Sequence, residues 1–347
     1  MAQSVRVGVI GTGGIALRQA QRLAQIEDVE IVAGCDISKQ NLSRFVEAYE
    51  VPHTFEDFND MVQLDAMDAV TVCTPNFMHK EPTVAALKAG KHVMVEKPMA
   101  MNAQEAQEMV DAAEQSAGRL TMGFQYRLGP AAQTLKRFVN QGRLGKVLVA
   151  RCQALRRRGI PSWGVFGRKE LQGGGPLIDI GVHIMECAHY LMGEPTPVAA
   201  SAQMFTYLGD REPAAEAPWG AWDWQTYTVE DLAVGLIRFD NGAVMSVEAS
   251  FAAHIKDNVF NCQLMGEGGG CVLHPPTLFT DEAGTMINIE PGYMADYESM
   301  DKKIDDWIAD IRGERPTQCP AVSGLNVQKM LDGLYASAKA GREVAIE

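Results

Sequence analysis

The feature that most narrows the possible folds lies near the start of the chain, where a short apolar strand runs into a glycine turn. Val5 to Ile10 is followed directly by Gly11-Thr12-Gly13-Gly14-Ile15-Ala16. A strand that ends on G-x-G-x-x-A is the small-residue form of a dinucleotide-binding turn. Gly11 permits the tight bend, Gly13 lets a pyrophosphate approach the backbone, and Ala16 lets the next helix lie close on the strand. Unpaired N–H groups and the dipole at that helix's amino end then favour phosphate. Thr12, Gly14 and Ile15, in the same turn, join the glycines as candidate cofactor contacts.

The surrounding pattern strengthens the motif. Ile15, Leu23, Ala24 and Ile26 give the next segment an apolar helical side, and Val29 to Cys35 reads as a second buried strand. It ends in Asp36, 20 residues beyond Ala16. An acid there accepts hydrogen bonds from both ribose hydroxyls and repels a 2′-phosphate, which favours NAD over NADP. The alternative for Asp36 is the N-cap of a helix that starts at Ser38-Lys39. Ala69 to Cys73 is a further strand, followed by Thr74-Pro75-Asn76 and a helix carrying Val84, Ala85 and Leu87. Those three loop residues fall at a strand's carboxyl end, so they should touch the cofactor. His79, one helical turn on, reads by itself as a cap or packing histidine. A helix from about Asn102 to Ser116 and a strand from Leu120 to Gly123 complete the alternation. Strands alternating with helices predict a doubly wound parallel sheet.

Within this alternation stands Val93-Met94-Val95-Glu96-Lys97-Pro98. The run has the length and β-branched content of a buried strand, and the proline stops it. A lysine at the carboxyl end of a parallel strand faces the crevice where such sheets bind ligands. Lys97 is therefore expected between a nicotinamide ring and a substrate hydroxyl. On the hexapeptide alone, a surface lysine at a strand end is the plainer account.

From Leu144 the pattern changes. Val147 to Leu155, Val198 to Phe205, Leu232 to Phe239, Val244 to Phe251 and Val259 to Met265 read as strands, with Asp240-Asn241-Gly242 as a hairpin turn. Consecutive strands joined by tight turns predict a large, mainly antiparallel sheet. One helix interrupts them. Gly173-Gly174-Gly175-Pro176 leads into Leu177-Ile178-Asp179-Ile180-Gly181-Val182-His183. Counted as a regular α-helix, Ile180, Ile184, Cys187, Ala188 and Leu191 form its core stripe. Asp179 and His183 lie on a separate side, with Glu186 and Tyr190 continuing their row. An acid one turn from a histidine can orient the imidazole and raise its basicity, which makes the pair a candidate general base. The triple glycine lets another group approach the helix end closely. Trp163 with Phe166, and Trp219, Trp222 and Trp224, suit either a sugar ring or a subunit interface. Arg156-Arg157-Arg158 reads as a solvated strand end or an interface in preference to an anion clamp. Val327, Met330, Leu331, Leu334, Tyr335 and Ala338 recur at helical spacing as core.

A chain of 347 residues is too long for one ordinary core. The predicted division is 1–123 for a dinucleotide-binding α/β domain and 124–347 for an α+β substrate and oligomerisation domain. The last helix, about 323–340, is able to pack back on the first. A formal charge of -13 argues against a nucleic-acid or anionic-membrane surface. The seven scattered cysteines include no CxxC pair, so neither a disulfide framework nor a metal site is expected. Buried thiols, and an amino end that enters a strand within a few residues, predict a cytoplasmic protein without a membrane helix.

Taken together, the chain resembles the Gfo/Idh/MocA oxidoreductases nearly end to end. The likeness rests on Gly11 through Ala16, Thr74-Pro75-Asn76 with His79, Glu96-Lys97-Pro98, Gly123-Phe124-Gln125-Tyr126-Arg127, and Gly173 through His183. It implies a Rossmann domain and an NAD(P)-dependent dehydrogenase acting on a sugar or cyclitol, working as a homodimer or homotetramer. It implies Lys97, Asp179 and His183 as the catalytic set and adds His79 and Glu96 to the cofactor contacts. Gln125, Arg127 and Trp163 join the catalytic set as substrate contacts. Many members carry asparagine where Gln125 stands, so the substrate contacts depart locally. Two other readings stay open: a glycoside-cleaving enzyme that retains NAD and works by transient oxidation and elimination, and a cofactor-sensing regulator on the same scaffold.

Overall fold

The computed structural model describes residues 4–347. Strands and helices alternate through the first part of the chain: β1 (Val5–Ile10), α1 (Gly14–Leu23), β2 (Val29–Cys35), α2 (Lys39–Tyr49), β3 (His53–Phe55), α3 (Phe58–Met61), β4 (Ala69–Val72), α4 (Lys80–Lys88), β5 (His92–Val95), α5 (Ala103–Glu114) and β6 (Leu120–Met122). The strands form a parallel sheet ordered β3-β2-β1-β4-β5-β6. Their apolar runs are covered on both faces, as parallel strands require. The order reverses between β1 and β4, so their carboxyl ends form the switch point where such sheets take ligands. Asn102 caps α5 by accepting a hydrogen bond from the Glu105 N–H at 2.9 Å.

The remaining elements are α6 (Pro130–Asn140), β7 (Val147–Leu155), α7 (Lys169–Gln172), α8 (Val182–Met192), β8 (Pro197–Phe205), β9 (Leu232–Phe239), β10 (Val244–Ser250), β11 (Val259–Gly266), β12 (Gly270–Val272), β13 (Thr277–Glu282), β14 (Thr285–Ile289), α9 (Ser299–Ile311), α10 (Ala321–Ala340) and β15 (Val344–Ala345). Their strands build a second sheet ordered β14-β13-β12-β11-β7-β10-β9-β8-β15. It is mixed: β7 and β10 run parallel, while β10 with β9 and β7 with β11 run antiparallel. Parallel neighbours need a long crossover, and the segment holding α8, β8 and β9 supplies it. The hairpin at Asp240-Asn241-Gly242 joins β9 to β10, with Gly242 at φ +85°. Strands β12 to β14 escape the sequence pattern: β12 has only three residues, and β13 and β14 lie at the sheet's edge and are largely exposed over their shared pairing, with no clean inward face.

The chain forms two compact units, Met1–Gln125 with Glu298–Leu325, and Tyr126–Tyr297 with Asn326–Glu347. In the first, Ile304, Trp307 and Ile308 of α9 pack with Val5, Val7, Leu23, Ala69 and Met94 as one buried cluster. In the second, α8 is buried nearly all round, with Ile184, Cys187, Ala188 and Leu191 in the core as its stripe predicts. All seven cysteines are free and buried. Among the described residues, no helix is long and apolar enough to cross a membrane, and no group of three or more His, Cys, Asp or Glu could hold a metal ion.

Candidate active site

The glycine turn after β1 has the required geometry. Gly11 takes φ +81°, and a Cβ there would lie 2.8 Å from the backbone of Cys73 and Thr74, so only glycine fits. At Gly13 and Gly14 a Cβ would meet nothing within 4 Å. The glycines there answer to no packing inside the protein, and the outer side of the turn is open to a ligand. Among the described residues no side chain caps α1, which leaves its first N–H groups available. Ala16 is fully buried against Val9, as close helix–strand packing demands, and Ile15 packs at the edge of that cluster. This is a cradle that fits a dinucleotide pyrophosphate.

Asp36 is fixed to the turn. Its Oδ2 accepts hydrogen bonds from the Thr12 N–H at 2.8 Å and the Thr12 hydroxyl at 3.0 Å, and its Oδ1 accepts from the Ser38 N–H at 2.8 Å. The cap of α2 is Ser38, not Asp36, since the Ser38 hydroxyl accepts from the Asn41 N–H. Thr12 is wholly buried, and its hydroxyl serves Asp36.

After β4, the Thr74 hydroxyl donates to the Met78 carbonyl at 2.7 Å and shapes a short 3-10 turn, Asn76–Met78. Pro75 is exposed and Asn76 buried. His79 occupies the N-cap position of α4 without capping it. Its imidazole is buried between the Pro98 carbonyl, 2.7 Å from Nδ1, and the Thr74 carbonyl, 2.9 Å from Nε2. Burial holds its pKa down, with the two carbonyls countering. His79 therefore ties the β4 loop to the loop after β5, the packing role its position suggests, and is not a cap.

Lys97 is half-buried at the end of β5, and the Glu96 carboxylate beside it is turned inward. That carboxylate accepts from Gln19 Nε2 at 2.6 Å, from the Lys97 N–H at 3.3 Å, and from the ammonium of Lys303 on α9. Burial pushes Glu96 up, but the Lys303 charge and hydrogen bond outweigh it and hold the carboxyl below its ordinary range. The Thr71 hydroxyl donates to Gln19 Oε1 at 2.6 Å and closes the network. Glu96 thus anchors the strand end that presents Lys97. Sequence reasoning missed Lys303, since one lysine in an amphipathic helix carries no local signal.

In the second unit, the segment after Pro176 departs from the regular α-helix expected. Leu177–Gly181 is a π-helical turn, and the α-helix starts only at Val182. The wider turn shifts the phase between Asp179 and His183, and such turns recur at functional sites. The triple glycine has an internal reason. A Cβ on Gly174 would lie 2.0 Å from the Tyr335 hydroxyl, and one on Gly175 would lie 2.1 Å from the Glu230 carbonyl oxygen. The Glu230 carboxylate accepts from the Gly175 N–H at 3.0 Å, the Leu177 N–H at 3.2 Å and the Tyr335 hydroxyl at 2.8 Å. Burial raises both the Glu230 carboxyl and the Tyr335 phenol. The group that approaches the helix head closely is therefore the protein itself, which clamps the turn bearing Asp179.

Asp179 and His183 line one cavity of about 360 Å³ with Tyr126, Arg156, Asn258 and Phe260. Asp179 is buried and His183 half-buried. The Tyr126 ring meets His183 edge-on at 5.0 Å and is tilted against Phe260 at 4.7 Å. Arg156 is the residue the sequence reading set aside: of three adjacent arginines it alone lines this cavity, while Arg157 is exposed. Burial lowers its pKa and the Asp179 charge counters it. The basic run alone could not show which arginine turns inward.

Arg127 requires a correction. It is 0% exposed, bonded to Glu186 and, at 2.9 Å, to Glu194, with its guanidinium 4.7 Å from the Tyr190 ring centre. Glu186 and Tyr190, which continue the row of His183, hold this fully enclosed cation, so Arg127 belongs to a structural ion pair and is not placed to contact a substrate. Burial outweighs the pull of Arg127 and leaves the Glu186 carboxyl pushed up to about 7. Gln125 is half-buried at the end of the first unit's opening segment, and Trp163 is exposed in the second.

Two family profiles match the chain. Residues 5–124 match an oxidoreductase family with an NAD-binding Rossmann fold, and residues 136–346 match an oxidoreductase-family C-terminal alpha/beta domain. The chain is 36% identical over 344 residues to D-glucoside 3-dehydrogenase of Escherichia coli (strain K12), covering 99% of this chain and 97% of that protein. It is 27% identical over 348 residues to myo-inositol 2-dehydrogenase of Thermotoga maritima, covering 98% and 97%. Among solved structures, levoglucosan dehydrogenase in complex with NADH has the same fold, with a TM-score of 0.83 at 24% identity over 99% of this chain and all of that one.

Proposed function

The chain belongs to the Gfo/Idh/MocA oxidoreductases, and on that premise we propose that it is an NAD-dependent dehydrogenase that oxidises a ring hydroxyl of a sugar, glucosides ahead of cyclitols. The observation that carries the reading is the cavity lined by both Asp179 and His183, in a chain whose first unit holds an open glycine cradle. The end-to-end likeness to a glucoside dehydrogenase, greater than that to an inositol dehydrogenase, supports the order of substrates.

Gly11, Gly13 and Gly14 with the amino end of α1 hold the pyrophosphate in this reading, with Ile15 beside them. Asp36 takes the ribose hydroxyls and Thr12 keeps it in place. Thr74, Pro75 and Asn76 border the cofactor at the end of β4, while His79 and Glu96 act from beneath by positioning these loops. When bound there, NAD would supply the hydride acceptor needed to oxidise a carbinol to a ketone, with one proton released. His183 removes the hydroxyl proton as general base. Asp179, on the wall of the same cavity, orients the imidazole. Lys97 is the cation assigned to the negative charge that develops on the oxygen. Gln125 and Arg156 contribute to holding the sugar.

The test is NADH formation with methyl glucosides, free glucose and myo-inositol. Stoichiometric NADH from a glucoside is expected. Glycoside cleavage without net NADH would replace the reading by transient oxidation and elimination, and binding of NAD without turnover of any sugar would end it.

A further inference from the structure

Arg156 is on the wall of the cavity that holds Asp179 and His183 and connects that wall to an aromatic cluster. Its guanidinium stacks over the Trp219 ring, 4.4 Å from its centre, and lies 5.6 Å from the Phe251 ring. Trp219 stands 5.4 Å from Trp163, and Trp163 meets Phe166 edge-on at 6.4 Å. Two distant loops are thereby joined, and the Ser162 hydroxyl fastens them by donating to the Trp219 carbonyl at 2.6 Å. Trp163 is 55% exposed and Trp219 37%, whereas Trp222 is 8% exposed and donates its indole N–H to the Gly209 carbonyl. Trp222 is core. The other two leave indole surface in water, although burying an aromatic side chain is worth about 1.5–3 kcal/mol.

We propose that Trp163 and Trp219 form a stacking subsite for a second ring joined to the substrate sugar through its glycosidic bond, so that the preferred substrate is a glycoside with a ring-bearing aglycone. This rests on the sugar dehydrogenase reading above and names its substrate class. A cavity of about 360 Å³ is at the small end of ligand sites and suits one sugar ring. A substituent running from it along Arg156 would come to Trp219, which that side chain touches, and then to Trp163, 5.4 Å further. Indole faces stack on aryl rings and on the C–H faces of sugars alike. The continuity from a cavity-lining arginine to both indoles is what favours a substrate ring over a second copy of the chain.

The experiment compares kcat/KM for methyl β-glucoside and phenyl β-glucoside in the wild type, Trp163→Ala and Trp219→Ala. The wild type is expected to favour the phenyl glucoside by about tenfold or more, the ratio that 1.4 kcal/mol of stacking gives. Each variant should lose most of that ratio. Trp163→Phe should keep part of it. Titration of indole fluorescence with phenyl β-glucoside reads binding without turnover and should give a change that Trp163→Ala diminishes. Equal kcat/KM for the two glucosides in the wild type would overturn the subsite while leaving the dehydrogenase reading intact. No NADH from either glucoside, with the fluorescence change retained, would overturn the reaction and leave the subsite standing. A variant that keeps the phenyl preference but dissociates an oligomer would assign the platform to a second copy.

Discussion

Replacing Lys303 by methionine isolates the buried charge beneath Lys97. The Lys303 and Glu96 side chains are 1% and 8% exposed, so water cannot take over when the cation is removed. The Glu96 carboxylate would keep only Gln19 and the Lys97 N–H. Breaking a buried pair from one side costs about 3–5 kcal/mol. At about 2–4 °C per kcal/mol for a unit of this size, Tm should fall by roughly 6–20 °C. The pH dependence carries a sign. In the wild type the Glu96 pKa lies below its ordinary 4.5, so its contribution is present above that value and is lost as pH falls through the folded pKa. In Lys303→Met, burial is opposed only by the weaker pull of the Lys97 charge and N–H, so the pKa rises. The variant's deficit should therefore be smallest in acid and grow as pH rises through the new value. Glu96→Gln in the same chain removes the unpaired charge and should recover about half of the loss. Calorimetry of the three proteins from pH 4.5 to 8 reads all of this. A Tm for Lys303→Met within about 2 °C of wild type at pH 8, or a gap that does not narrow in acid, would refute the account.

Lys97→Ala should lower kcat by about 10²-fold or more while leaving NAD binding measurable, as loss of a charge-stabilising group does; steady-state kinetics with fluorescence titration of NADH checks it. Asp36→Ala should weaken NAD and narrow discrimination against NADP, read as the ratio of the two kcat/KM values; an unchanged ratio would remove the ribose role. Tyr335→Phe removes one hydrogen bond to Glu230 and should cost about 1 kcal/mol of stability. Because that bond clamps the turn bearing Asp179, kcat should fall more than KM rises, and a variant with unaltered kinetics would make the clamp purely structural. Val234, 43% exposed on β9 with Leu148 and Phe205 also exposed on the same sheet, is expected in a subunit contact; Val234→Lys should lower the mass seen by light scattering.

By itself, the sequence determined the local architecture. The alternation from Val5 to Met122, the glycine turn, Asp36 at the end of β2 and the core stripe of α8 are all written in spacings of a few residues, because strand and helix periods act locally. The tertiary structure decided which partners those elements meet. Lys303 reaches Glu96 across 207 residues, and Tyr335 fills the space left by Gly174. Arg127 goes into a buried ion pair, whereas Arg156 lines the cavity of Asp179 and His183. Periodicity marks a side chain as inward or outward but carries no address for its partner. That choice between one buried cation and another is made only when distant segments pack and each charge must find its counter-charge away from water.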